Sequence, residues 1–510
     1  MHTRIKVSSM VLVLLLSIST SVRTQNVDKA MINEWVQPHL QKSFYALKAF
    51  LSIPNDSHFE NQISENQRWL EEAFKKRNFN TLVLKSKGNP SLYAEKKVDP
   101  KLKTVLFYMH FDGQPVDSSK WLQPNPYTPV LKQKNQTGGW EIVDWSVLQN
   151  NPNQELRFFC RSSSDDKSPI NMLLSALDIL EENNYKPSFN VKVILDSEEE
   201  LGSPNLPEIV DNYSELLAAD MMLILDGPRH ISNQPSIFFG CRGLASIEIT
   251  VFGPKNAQHS GHYGNYAPNP ALNLAKLLAS MKDDEGRVII PGFYDGIKMD
   301  KKTLEILAQV PDDVTEINKE LGIAEPDKVG ADYQQSLQYP SLNIRGMSSG
   351  WVGSEARTIV PSTATAAIDI RLVVESNPER LINLVKKHIE AQGFYVIDHL
   401  PNDQERAKYP KIAMFSGSFE NLAFRTEFDS EIGKWVNRSL IKAFEEQPVR
   451  VRTTGGTVPV SAFISKLGIQ ALILPMVNLD NNQHGPNENL RLGNYIDGIK
   501  TLVALLTEKI

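Results

Sequence analysis

Short apolar runs along this chain repeatedly end in a histidine or an acidic residue. Val105–Met109 is followed by His110-Phe111-Asp112, and Phe159-Cys160-Arg161 leads into Ser164-Asp165-Asp166-Lys167. Val191–Leu195 leads into Glu198-Glu199-Glu200, Leu223-Ile224-Leu225 into Asp226, and Ala471–Leu474 precedes Asn482-Gln483-His484-Gly485. Near-continuous apolar runs of this length are the signature of strands buried on both faces. Helical periodicity lies between them: Trp69, Leu70 and Phe74 share a face over residues 62–77, and Pro169 opens a helix carrying Leu173, Leu177 and Leu180. Strand, helix, strand in this rhythm predicts an α/β fold with a mostly parallel sheet covered by helices. Such sheets collect functional groups at the carboxyl ends of their strands.

The pattern changes after about residue 240. Ile247, Ile249 and Val251 alternate with Glu248 and Thr250, as in a half-buried strand. A helix over Ala271–Met281, a strand over Ala364–Val374 and a helix starting near Pro378 complete an α+β unit. Residues 284–351 read as turn-rich and are expected to carry loops over a site. The α/β pattern resumes at Gly455. The predicted organisation is a leader over 1–24, a first catalytic part over 25–240, an inserted domain over 241–454, and a last catalytic part over 455–510.

Composition adds limits. The chain has 510 residues, 41% hydrophobic and 22% charged, ample for two domains. A net charge of -6 argues against nucleic acid as a partner. Arg4, Lys6 and the apolar stretch Met10–Leu16 before small polar residues read as a secretory signal, which predicts export to the periplasm or beyond. No other run is long enough for a membrane span in the mature chain. The two cysteines, Cys160 and Cys241, do not make a disulfide framework and read as small buried hydrophobes.

The candidate chemistry follows from the strand ends. His110 and Asp112, two apart, project to one face of an extended chain, and a ligating imidazole commonly donates its other N–H to a carboxylate. Adjacent carboxylates at 198–200 repel, so at least one needs a cation or a raised pKa, which suggests one as ligand and another as base. Asp226 alone reads as a turn cap, Asp165-Asp166-Lys167 as a solvated turn, and His484 as a surface histidine; together the set is far more specific. Nitrogen and oxygen ligands without thiolate suit zinc, with manganese or cobalt as alternatives.

The chain resembles the di-zinc peptidases that include carnosine dipeptidases, glutamate carboxypeptidase and aminoacylases, and is most similar to the carnosine-dipeptidase-like branch. The resemblance runs from about residue 30 to the end. It rests on Met109–Pro115, Asp165-Asp166-Lys167, Glu199–Ser203, His259-Ser260-Gly261, Ile290–Asp295, Thr358–Pro361, Arg371-Leu372-Val373 and Gly455–Val460. It implies two zinc ions per chain, with Asp165 bridging, His110 and Asp226 completing one site, and Glu200 and His484 the other. It implies Glu199 as general base, Asp112 as the partner of His110, and His259 of a lid domain as a group polarising the scissile carbonyl, often across a homodimer formed through the inserted domain. Arg371 would hold a substrate carboxylate, with Thr358, Gly456 and Thr457 as further substrate contacts; a lid-surface ion pair competes as the reading of Arg371. Departures are Met109, Cys160, Ser162 and Ser168 where the family often has glycine. The expected activity is hydrolysis of dipeptides or short peptides through metal-activated water. N-acyl-amino-acid deacylation is the alternative on the same site, and a non-catalytic metal-binding protein the remote one.

Overall fold

The computed structural model describes residues 27–149 and 152–510. Its larger sheet has eight strands, in the spatial order Asn80–Leu84, Ser91–Lys96, Asn190–Asp196, Thr104–His110, Met221–Ile224, Gln470–Ile473, Ser236–Phe238 and Val449–Val451. The four middle strands from Asn190–Asp196 to Gln470–Ile473 pair in parallel. The outer pairings are antiparallel, apart from Val449–Val451 beside Ser236–Phe238.

Alternation sorts each buried strand between two cores. Val105, Phe107 and Met109 join the cluster built with the helices Leu40–Leu51, Lys167–Glu182, Glu431–Phe444 and Leu492–Thr507. Leu106 and Tyr108 point the other way, to Ile209, Phe463 and Ile469. Burial of each such side chain contributes roughly 1.5–3 kcal/mol, so both faces of the His110 strand are anchored. Register then aligns the strand ends: His110 pairs with Asp196, and Tyr108 with both Ile194 and Ile224. His110, the loop after Asp196 and Asp226 therefore emerge at one edge.

The inserted domain has a five-stranded sheet ordered Asn343–Ser348, Thr363–Leu372, Gly243–Phe252, Ile412–Asn421 and Tyr395–Ile397. The helices Pro270–Ala279 and Pro378–Ala391 pack on it around Ile249, Leu277, Ile368, Leu381 and Val385. Both helices start by the same local device. Asn269 and Asn377 accept backbone N–H groups of the first turn, and proline occupies the first helical position, where its missing N–H costs nothing. Glu248 is exposed as expected, but Thr250 is buried, its hydroxyl bonded to that of Thr365 at 2.9 Å.

The boundary at 454 needs correction. The helix Glu431–Phe444 buries Trp435 and Val436 in the catalytic core, and Val449–Val451 is a strand of the eight-stranded sheet. The chain thus returns to the catalytic domain before residue 454, because an amphipathic helix and a short apolar strand carry no mark of which sheet they will join. The segment 284–351 also differs from expectation. It contains the short helices Lys301–Leu307, Val314–Leu321 and Tyr333–Ser336, and it reaches the catalytic domain where Asp312 accepts from His230 Nε2 at 2.9 Å. Cys160 and Cys241 are both buried and unpaired, as expected of small buried hydrophobes.

Candidate metal centre

Three of the five candidate ligands sit at or just past a strand end, and two come from loops. His110 is the last residue of its strand, Glu199 and Glu200 open a single helical turn just past Asp196, and Asp226 follows Ile224 and Leu225. Asp165 lies in the turn between Arg157–Phe159 and the helix Lys167–Glu182, with a cis peptide to Asp166. His484 comes from the loop before Asn489–Arg491.

These residues converge into two clusters sharing one member. Ligand atoms of His110, Asp165 and Asp226 lie within 4.8 Å of one another, as do those of Asp165, Glu200 and His484. Asp165 divides its two oxygens between them: Oδ1 lies 2.8 Å from His110 Nε2, and Oδ2 lies 3.2 Å from His484 Nε2. The other nitrogen of His110, Nδ1, is 3.2 Å from Asp112 Oδ1. Asp112 is itself fixed, because it accepts the backbone N–H of Glu199 at 3.2 Å and of Glu200 at 3.1 Å. The strand that ends at His110 is thereby tied to the turn that carries both glutamates.

The electrostatics suit a cation. Burial pushes the carboxyl of Glu199 well above its ordinary range, with Asp226, Asp165 and Glu200 adding to the rise and His110 opposing it. Burial and Asp165 push Glu200 up to about 8, and the same two causes push Asp226 up to about 6. Burial alone would also raise Asp165, but its bonds to His110 and His484 hold it well below the usual range. Hydrogen bonding to Asp165 raises His484 to about 9 against its burial.

The donor set fits divalent ions. An imidazole that donates Nδ1–H to Asp112 turns a lone pair on Nε2 toward an oxygen of Asp165 2.8 Å away. Two acceptors at that distance need a positive charge between or beside them, and crowded buried carboxylates need the same. Nitrogen and carboxylate oxygen in this mixture are zinc-type ligands.

The three consecutive glutamates prove unlike. Glu198 is buried and accepts from Asn89 N at 2.8 Å and from Asn205 Nδ2 at 2.7 Å, so it closes a loop away from the clusters. Glu200 faces His484 and also accepts from Gln114 Nε2 at 2.7 Å. Glu199 lies among the ligand carboxylates without belonging to either cluster.

The predicted substrate contacts fall into two groups. Arg371 donates to Thr457 Oγ1 at 2.8 Å, and Gly456 stands beside Thr457, its carbonyl accepting from Arg242 N at 3.1 Å. His259 and Thr358 meet elsewhere, on a two-stranded ribbon where His259 pairs with Ile359 and Ser260 N donates to Thr358 O at 3.0 Å. Both are exposed, and the one side-chain bond of His259 is to Gly261 N, within its own turn. Among the described residues, no hydrogen bond or ion pair joins this ribbon to the metal clusters of the same chain.

Asn55 and Glu488 escaped the sequence reading, and Gln114 and Arg161 entered it within motifs but without a role. Asn55 donates to Phe111 O at 2.8 Å and to Ser162 Oγ at 2.9 Å, linking two ligand-bearing loops. Their residue types are those of ordinary surface positions, and nothing local marks them.

A shared carboxylate between two imidazole–carboxylate clusters, at the strand ends of an α/β sheet with an inserted lid, defines a metal-dependent hydrolase. Residues 239–394 match the peptidase dimerisation domain. The chain is 27% identical over 417 residues to a Cys-Gly metallodipeptidase of Schizosaccharomyces pombe, covering 80% of each chain. It is 24% identical to the human beta-Ala-His dipeptidase, covering 82% of this chain and 77% of that one. A solved M20 family metallo-carboxypeptidase from Sulfolobus solfataricus superposes with a TM-score of 0.73 at 28% identity, over 91% of this chain and 98% of that one. The chain thus carries a match to the peptidase dimerisation domain and is similar to metallodipeptidases and to M20 family metallopeptidases of known structure.

One expectation is overturned here. Export is not supported, because the Cys-Gly metallodipeptidases to which the chain is similar are mainly cytosolic enzymes. The run of residues 1–24 that suggested a secretory leader lies outside the described residues. Among the described residues no helix is long and apolar enough to cross a membrane.

Proposed function

We propose that this metallopeptidase hydrolyses dipeptides or short peptides with a free C-terminal carboxylate. The observation that carries the reading is the division of Asp165, one oxygen toward His110 and Asp226, the other toward Glu200 and His484. Asp165 would bridge two zinc ions, His110 and Asp226 would complete one site, and Glu200 and His484 the other. Ions held there supply Lewis acidity to the scissile carbonyl and lower the pKa of water.

The remaining steps belong to the chain. Asp112 holds His110 in the orientation that turns Nε2 inward. Glu199 takes a proton from the attacking water as its oxygen bonds to the carbonyl carbon, and delivers that proton to the leaving amine nitrogen as the C–N bond breaks. His259 donates toward the carbonyl oxygen as charge develops on it. Arg371, steadied by Thr457, receives the substrate carboxylate, while Gly456 and Thr358 line the peptide. His259 and Thr358 share an exposed ribbon in the dimerisation domain, which supports a role at the site of a homodimer partner, with closure of the chain's own lid as the alternative. That the relatives are named dipeptidases supports the substrate class.

The test is a panel of dipeptides and N-acyl amino acids, scored by amino acid release with added zinc and again after chelation. Zinc-dependent release from dipeptides is expected. Release from N-acyl amino acids alone would make the protein a deacylase, and no hydrolysis of either would leave a binding protein.

A further inference from the structure

A carboxylate outside the proposed ligand set is bound more completely than any within it. Glu488 is wholly buried. Its Oε1 accepts from Ser164 N at 2.8 Å, Ser164 Oγ at 2.9 Å and Asp165 N at 3.0 Å. Its Oε2 accepts from Ser162 N at 2.7 Å and Arg161 Nη1 at 2.8 Å. A buried carboxylate is costly unless its lone pairs are used, and here every donor comes from the single stretch 161–165.

That stretch needs such a partner. Ser162 sits at φ 60, in the left-handed region that disfavours a side chain, so the turn does not hold this shape by local preference. The N–H groups of Ser162, Ser164 and Asp165 converge on one point, and Glu488 supplies the acceptors there. Its position is set by a separate four-stranded sheet, ordered Asn489–Arg491, Arg157–Phe159, Val130–Lys134 and Trp140–Val143, in which Asn489 pairs with Phe159, and next to which Glu488 O accepts from Cys160 N at 3.1 Å. Arg161 extends the link, because its Nη2 donates to Gly485 O at 3.1 Å, next to His484. His484 is itself at φ 61 and exposed, so its loop also depends on such tethers.

We propose that Glu488 is a positioning residue for the metal centre: it fixes the turn that presents Asp165 to both clusters and, through Arg161, couples that turn to the His484 loop. The inference rests on the reading of Asp165 as the shared ligand. Glu488 touches neither substrate nor ion in this account. It acts by holding Asp165 where both oxygens are useful.

The experiment is zinc titration of the purified full chain against a competing chromogenic chelator, with circular dichroism and thermal unfolding of the zinc-free protein alongside. Glu488→Gln keeps the volume but turns an NH2 group toward backbone N–H donors whichever way the amide lies. Both zinc equivalents are expected to weaken by about 10- to 100-fold, the usual cost of removing a partner of a ligand. Turnover should recover at raised zinc, which a mere loss of folded protein would not allow. Arg161→Lys keeps the charge but not the fork that reaches Gly485, and should weaken chiefly one equivalent, the one that includes His484. Unchanged affinity for both equivalents in folded Glu488→Gln overturns the proposal; if that variant does not fold, unchanged affinities in Arg161→Lys do so. Asp165→Asn separates the two readings. If it binds zinc like the wild type, the shared-ligand assignment fails; if it loses zinc while Glu488→Gln does not, only the role of Glu488 fails.

Discussion

The sheet edge that carries His110, Asp112, Glu199, Glu200 and Asp226 and the lid ribbon that carries His259 and Thr358 are assigned to one reaction, yet they are held in opposite ways. At the sheet edge, His110 and Asp112 are buried and cross-linked to the glutamate turn by backbone bonds at about 3.1–3.2 Å. On the ribbon, His259 is exposed and bonds within its own turn. Strand pairing with apolar packing on both faces makes the first region rigid before any ion or substrate arrives. The second acquires its chemistry only from where the lid, or a partner's lid, comes to rest. Substitution of a cluster residue at the sheet edge should therefore change what the protein binds, whereas substitution of Glu199, which belongs to neither cluster, or of a ribbon residue should change only how fast it turns over.

The most severe test of that contrast is loss of the shared ligand. Asp165→Ala should abolish activity and remove both ions by elemental analysis, and chelation of the wild type should do the same to activity. Full activity in chelator would end the metal assignment altogether. Next comes the base. Glu199→Gln should retain its metal content while turnover falls by on the order of 10² to 10⁴, the range for a positioned acid–base group. Near-normal turnover would move the role elsewhere, and Glu198, engaged with Asn89 and Asn205, is badly placed to take it.

His259→Ala should leave the metals in place and reduce kcat by about 10²- to 10³-fold, as loss of one oxyanion donor does. Mixing this variant with Glu199→Gln chains sharpens the comparison. If the ribbon serves the partner's site, mixed dimers regain part of the activity. Exchange of subunits with no regained activity, or an active monomer, would return His259 to its own chain's site. The smallest expected effect lies inside the lid. Asn377→Ala removes the cap of Pro378–Ala391 and should cost about 1 kcal/mol of stability, read as a lowered Tm, with catalysis unchanged. A large loss of turnover from that change would mean that the lid's internal packing sets the position of the ribbon.

Much of the centre was legible in the chain because of where its residues fall. A run such as Val105–Met109 announces a buried strand, and a histidine or carboxylate at its end is then placed by the fold class. What stayed hidden depends on distant pairs. Glu488 lies more than 320 residues from the turn it holds, and as one polar residue among several near His484 it carries no local sign. Charge repulsion suggests that the three adjacent glutamates differ in role and the resemblance singles out Glu199 and Glu200, but which way the short helical turn points each of them is decided only by the fold. The lid boundary was misplaced for a related reason. The helix Glu431–Phe444 has an apolar stripe that would suit either core, and only packing against Leu492–Thr507 decides which one it joins.

By itself the sequence determined the kinds of ligand, the strands that deliver them, and the presence of a second α+β unit, because apolar periodicity and capping residues act over a few neighbouring positions. Tertiary structure alone decided that Asp165 splits its oxygens between two imidazoles, that Glu488 and Arg161 hold the turn behind it, and that His259 and Thr358 share an exposed ribbon apart from the metal clusters. Those facts come from strand register, from the left-handed Ser162, and from hydrogen bonds across hundreds of residues. Such contacts form only when chain closure brings distant segments together, and no local pattern encodes them.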